Sequence, residues 1–139
     1  MKREDKYPDT RTFHFHNANP KHRATGDCVV RAVGEATGVS WDDTLMALTE
    51  LALKLKVMPN SKDCYAKYLQ GLGWVKHGQP KKPDGKKYTG EEFCKMLERG
   101  HKPIVANIGG HHVVCIKDGK VWDTWNSTDG CIGNYWQLP

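Results

Sequence analysis

The chain has 139 residues, is 38% hydrophobic and 27% charged, and carries a formal charge of +5. That length suits one domain, and five Trp and five Tyr give it material for a core, which excludes wholesale disorder. No apolar run approaches the ~20 residues of a membrane span. Met1-Lys2-Arg3-Glu4-Asp5-Lys6 has no apolar stretch of the signal-peptide kind. The expectation is therefore a cytoplasmic protein with no membrane partner. Five cysteines (Cys28, Cys64, Cys94, Cys115, Cys131) at irregular spacing read as free thiols.

Residues 1–24 form a polar, turn-rich arm in which Phe13 and Phe15 alternate with His14 and His16, predicting a short strand or arm laid on the core. From Cys28 the apolar period becomes helical through Val29, Val30, Ala32, Val33 and Ala36, with Thr37-Gly38 as a stop and Thr25-Gly26-Asp27 supplying cap candidates. Ser40 opens a second helix, Ser61 a third reaching Gly71, and Thr89-Gly90-Glu91-Glu92 is a capping box for a fourth, ended by Gly100. Between the last two, residues 76–88 are a basic loop by composition. After residue 100 the period becomes two. A strand is expected over Pro103–Ile108, a hairpin over His112–Trp125 about Asp118-Gly119, and a last strand over Cys131–Trp136. A mainly helical part at 25–100 followed by a sheet part at 101–139 makes one α+β domain.

Cys28 would sit in the first turn of its helix, where free N–H groups and the helix dipole favour a thiolate. With a two-residue turn at Asp118-Gly119, Lys117 pairs with Lys120, Val114 with Asp123 and His112 with Trp125. His112, Val114, Ile116, Val121, Asp123 and Trp125 then share a face, and Asp123 comes within side-chain reach of His112. A carboxylate there fixes the imidazole tautomer and orients the ring. Nucleophile, base and orienter follow in the order Cys28, His112, Asp123. Trp125 would shield the His–Asp hydrogen bond or pack in the core, and Asp27 reads as a cap.

These segments, Thr25-Gly26-Asp27-Cys28-Val29-Val30-Arg31-Ala32 with His112-Val113-Val114 and Asp123-Thr124-Trp125, resemble the papain-like cysteine peptidase superfamily, in particular small members from bacteria and their phages. The resemblance spans roughly residues 24–136 in element order and about twenty positions as motif. It implies a minimal papain-like fold, with a helical lobe led by the Cys28 helix packed on a small antiparallel sheet. It also implies cleavage of a protein or peptide amide or isopeptide through a thioester, with Cys28, His112 and Asp123 as the catalytic trio. The family's usual oxyanion donor is a Gln about six residues before the cysteine. That position is His22 here, and no Gln precedes Gln70. Asn17, Asn19 or His22 would have to donate instead, with Asn126 as a further support candidate near the trio. A transferase or deamidase using the same trio, and an inactive binding protein, stay open.

Other groupings are weaker. His111, His112 and Cys115 with Cys131, or with His14 and His16, resemble a zinc set, yet no Cys-x-x-Cys is present. No cofactor motif is present, and the Leu positions between 45 and 55 are core. Lys76, Lys81, Lys82, Lys86 and Lys87 lack interleaved aromatics, which argues against a nucleic-acid partner.

Overall fold

The structure, a computed structural model, describes residues 1–139. It is an α+β arrangement of five helices and one six-stranded sheet. In chain order these are α1 (Arg3–Lys6), β1 (Phe13–Phe15), α2 (Cys28–Thr37), α3 (Trp41–Leu55), α4 (Lys62–Gly71), β2 (Val75–His77), α5 (Gly90–Met96), β3 (Ile104–Ile108), β4 (His112–Lys117), β5 (Lys120–Asp123) and β6 (Ile132–Gln137). The strand order is β1-β5-β4-β3-β6-β2, antiparallel throughout except for the parallel β1–β5 edge.

Both faces of the sheet are covered, and the period of two divides the core between them. Val105, Val113, Cys115 and Trp136 face α2, α3 and α4 in one apolar cluster. Their neighbours Ile104, Ala106, Ile108, Val114 and Ile116 face the other way, against Phe93 and Cys94 of α5. All five residues of β3 are buried as a result, which is why four of them are apolar, Asn107 being the exception. α2 lies on β4, while Gly34 lets α3 approach closely. A Cβ there would stand 3.0 Å from both Thr44 Oγ1 and Val39 O.

The helix starts follow local chemistry. Ser40, Ser61 and Thr89 each accept a first-turn amide, and Thr89 with Glu92 completes the reciprocal capping box. α2 ends on Gly38 in the left-handed conformation.

Three expectations need correction, and one is met. The sheet is not confined to residues 101–139, because β1 and β2 supply its two edges from earlier in the chain. The short strand expected on the core within residues 1–24 is present: Phe13 is fully buried, worth about 1.5–3 kcal/mol, and its strand pairs with β5. The basic segment 76–88 begins inside β2, whose Lys76 and His77 pair with Trp136 and Tyr135. α5 stops at Met96 rather than Gly100, since Leu97 takes an extended conformation.

The hairpin has the expected register, Lys117 with Lys120 through Cys115 with Trp122. It ends there. The Asp123 carbonyl accepts from the amide of His16, just past β1, and β5 stops, so Val114–Asp123 and His112–Trp125 are not ladder pairs.

Candidate active site

Cys28 is the first residue of α2, and the helix is held down by Val29, Val30, Ala32, Val33 and Ala36, all buried. Asp27, expected as a cap, makes no capping hydrogen bond. Its carboxylate turns inward, accepting from Arg31 Nε at 3.0 Å, Trp41 Nε1 at 2.9 Å and Asn19 Nδ2 at 3.4 Å. The first-turn amides of α2 are thus left without a side-chain acceptor at the residue that carries the thiol.

His112 opens β4 and Asp123 closes β5. His112 Nε2 lies 2.6 Å from Asp123 Oδ2, and Asp123 is 1% exposed. The carboxylate is saturated. Oδ2 also accepts from Ser127 Oγ at 3.1 Å, while Oδ1 accepts from the Thr124 amide at 2.7 Å and Arg31 Nη1 at 3.1 Å. With Nε2 committed to Asp123, Nδ1 is the ring nitrogen left for the hydrogen bond between His112 and the Cys28 thiol.

The electrostatics follow from this line of contacts. Burial pushes the Cys28 thiol up, but the hydrogen bond from His112, the Val113 amide and the charges of His112 and Arg31 outweigh it, so the net shift is down. Burial pushes His112 down, yet the hydrogen bonds to Asp123 and Cys28 raise it to about 9. Asp123 is buried, which raises it, and His112, the Thr124 amide and Arg31 bring it below the ordinary carboxylate value. One thiol is driven toward the anion and one imidazole toward the cation, the combination that makes sulfur nucleophilic near neutrality. The other buried cysteines go the opposite way: burial raises Cys64 and Cys115, and lifts Cys94 to about 12.

Trp125 packs its ring 5.0 Å from that of His112, tilted by 35°, while remaining 36% exposed. A core role is excluded; the ring covers the imidazole from solvent. Asn126 does not support the trio, because its Oδ1 accepts from the Thr128 amide at 3.1 Å and Thr128 Oγ1 at 2.6 Å, closing its own turn. Asn19 is also ruled out as an oxyanion donor. It is buried, with its amide given to Asp27 and its carbonyl to the Lys21 amide. Asn17 and His22 do reach the cleft over Cys28, a space of about 350 Å³ that His112 and Trp125 also line. His22 sits there exposed, with a left-handed φ of 54°. A larger cleft of about 520 Å³ lies behind the 16–22 segment, between it and α2 and α3, and holds no thiol.

No three His, Cys, Asp or Glu side chains converge in metal-binding geometry, so the zinc grouping of His111, His112 and Cys115 is not assembled.

Arg31, outside the trio that the sequence predicts, ties the site together. Its guanidinium bridges Asp27 and Asp123, with 13% of its side chain exposed against 6% and 1% for the two carboxylates. The Asp27–Arg31 spacing of four on one helix was the available signal. That the same Arg reaches Asp123, 92 residues away, is decided by the packing of α2 on β4. No protein-family model, curated protein or solved structure matches the chain.

Proposed function

We propose that the protein is a papain-like cysteine hydrolase that cleaves an amide or isopeptide bond through a thioester. The observation that carries this reading is the single line of contacts from Cys28 through His112 to the buried carboxylate of Asp123. In the forward step the Cys28 thiolate attacks the carbonyl carbon and a C–S bond forms. The C–N bond then breaks as the imidazolium of His112 gives its proton to the leaving amine. Neutral His112 next takes a proton from water as the water oxygen attacks the thioester, releasing the acid and restoring the ion pair. Asp123 holds the ring throughout. The helical layer led by α2, packed on a small sheet, fits a minimal papain-like fold.

Backbone amides of the α2 first turn, with Asn17 or His22, supply the oxyanion contact in this reading. Asn17 Oδ1 is held by the Asn19 amide at 3.0 Å, while its Nδ2 makes only a long contact, 3.4 Å, to the Arg23 carbonyl and keeps N–H capacity to donate. His22 in place of the family's Gln favours a second reading, an inactive protein that uses the same cleft only to bind.

Alkylation separates the two. Iodoacetamide should modify Cys28 at pH 7 at least tenfold faster than exposed Cys131, and His112→Ala should abolish the difference. Equal rates in the wild-type protein would overturn the hydrolase. Fast alkylation without turnover of any peptide in a diverse quenched-fluorescence library would favour the binder.

A further inference from the structure

Cys28 stands between two clefts. The first is the space of about 350 Å³ lined by Arg3, Arg23, His22, His112 and Trp125. The second, about 380 Å³, lies on the other side of the thiol and is lined by Asn60, Lys62, Tyr65, Asn107 and His111. Their charges are one-sided. The only carboxylate lining either cleft is Asp27, which is 7% exposed and engaged by Arg31, Trp41 and Asn19. Arg31 is consumed in turn by Asp27 and Asp123. Arg3, Arg23 and Lys62 make no ion pair with any carboxylate. Arg3 gives its Nε–H to the Thr124 carbonyl and lies over the Tyr7 ring, so its position is held while its charge is unspent.

The chemistry proposed above gives these clefts a direction. A general acid must lie within hydrogen-bond reach of the atom it protonates. His112 lines the Arg3–Arg23 cleft and not the Lys62 cleft. The leaving amine and the residues that follow it therefore occupy the Arg3–Arg23 side. The acyl portion occupies the side of Lys62, Tyr65 and Asn107.

We infer that the substrate is anionic, with a carboxylate just beyond the scissile bond held by Arg3 and Arg23 on the leaving-group side. This rests on the hydrolase reading. Arginine's planar fork suits a carboxylate, and a cleft with free cations and no free acid disfavours a basic peptide by like-charge repulsion. The carboxylate has two possible sources, an acidic side chain or the substrate's own C-terminus. A nucleic acid would satisfy the charge but offers Cys28 no open-chain amide with an amine leaving group.

The test compares anionic iodoacetate with neutral iodoacetamide on the full chain, reading the Cys28 rate ratio by mass spectrometry with exposed Cys131 as internal reference. Arg23→Glu and Arg3→Glu should each lower the iodoacetate preference of Cys28 about three- to tenfold, and added salt should erode it. Lys54→Glu, an exposed site on α3 with the same change in net charge, should leave it unchanged. Short peptides then serve as protectants against iodoacetamide. Peptides with Glu side chains and an amidated end, or with neutral side chains and a free carboxylate, should protect at lower concentration than Lys-containing amidated ones. Whichever of the first two protects better identifies the source. A fast Cys28 whose reagent ratio is the same in the wild type and both Arg variants would overturn the anionic substrate and leave the hydrolase intact. A Cys28 no faster than Cys131 would overturn both. Protection by single-stranded DNA at lower concentration than by any acidic peptide would assign the cleft to nucleic acid instead.

Discussion

Arg31 and Asp123 meet at 3.1 Å beneath the candidate site, joining the helix that carries the thiol to the strand that carries the carboxylate. Asp123 thereby divides its two oxygens between a permanent cation and an imidazole, Oδ1 toward Arg31 and Oδ2 toward His112. The carboxylate cannot rotate toward one partner without leaving the other, so Arg31 positions a base that it does not touch.

Removing that cation should therefore be costly. Arg31→Met leaves Asp27 and Asp123 buried without their shared partner, and breaking a buried pair typically costs about 3–5 kcal/mol. The expected result is a large fall in denaturation midpoint, with partial recovery in Arg31→Lys, which restores charge but not the fork. In protein that still folds, the alkaline limb of Cys28 reactivity should move to higher pH, because Arg31 no longer competes with the imidazolium for Asp123. A limb that stays in place would reduce Arg31 to a structural tie.

The pH dependence of the pair is also defined. The thiolate–imidazolium form exists above the depressed Cys28 value and below the His112 value of about 9. Since the two groups are coupled, these limits belong to the pair. Activity should fall on the alkaline side near pH 9. Asp123→Ala removes what holds His112 protonated, so the alkaline limb should move down, and turnover should drop by ~10²–10⁴. Asn126→Ala should do far less, and the opposite ranking would show that Asn126, not Asp123, orients the ring.

Stability offers an independent reading of the same charges. His112, raised in the fold, contributes stability that is complete below its unfolded value of about 6.5 and is lost as pH rises through about 9. Cys28, lowered in the fold, contributes in the opposite sense, gaining stability as pH rises toward its unfolded value of about 8.5. In the wild type the two slopes oppose each other between those unfolded values. Cys28→Ser removes one of them, so the melting temperature of that variant should decline with pH across this interval more steeply than the wild type's. Parallel curves would mean that the proton is not shared as described.

Trp125 gives a test of shielding. Because its ring is over one-third exposed, Trp125→Ala should cost little stability, within about 1 kcal/mol. It should nevertheless admit water to the His112–Asp123 hydrogen bond and lower the alkaline limit of activity. A reduced kcat with KM nearly constant is expected, and an effect confined to KM would make Trp125 a substrate contact instead.

Much of this architecture is legible in the sequence. Ser40, Ser61 and Thr89 announced three helix starts because a cap is a local event, set by a side chain and the amide two or three residues on. Asp118-Gly119 announced the hairpin for the same reason: both residues adopt positive φ, 55° and 69°. Asp27 shows where local reasoning stops. As a residue before a helix it reads as a cap, yet three partners from α2, α3 and the 17–22 segment turn its carboxylate inward. Lys76 and His77 read as loop because exposed polar residues there have no apolar period, and only β6 alongside makes Val75–His77 a strand.

The sequence alone determined which residue types were available and in what local conformation: a cysteine at the head of a helix, and a histidine and an aspartate at strand ends on either side of a tight turn. Those features depend on neighbours within a few positions, where propensity and capping act. Tertiary packing decided the rest. It set α2 against β4 so that Cys28 meets His112, carried Arg31 across to Asp123, and left Asn19 and Asn126 occupied elsewhere. Contacts between residues some 90 positions apart are chosen by the burial of two whole apolar faces, and no short stretch of chain encodes that outcome.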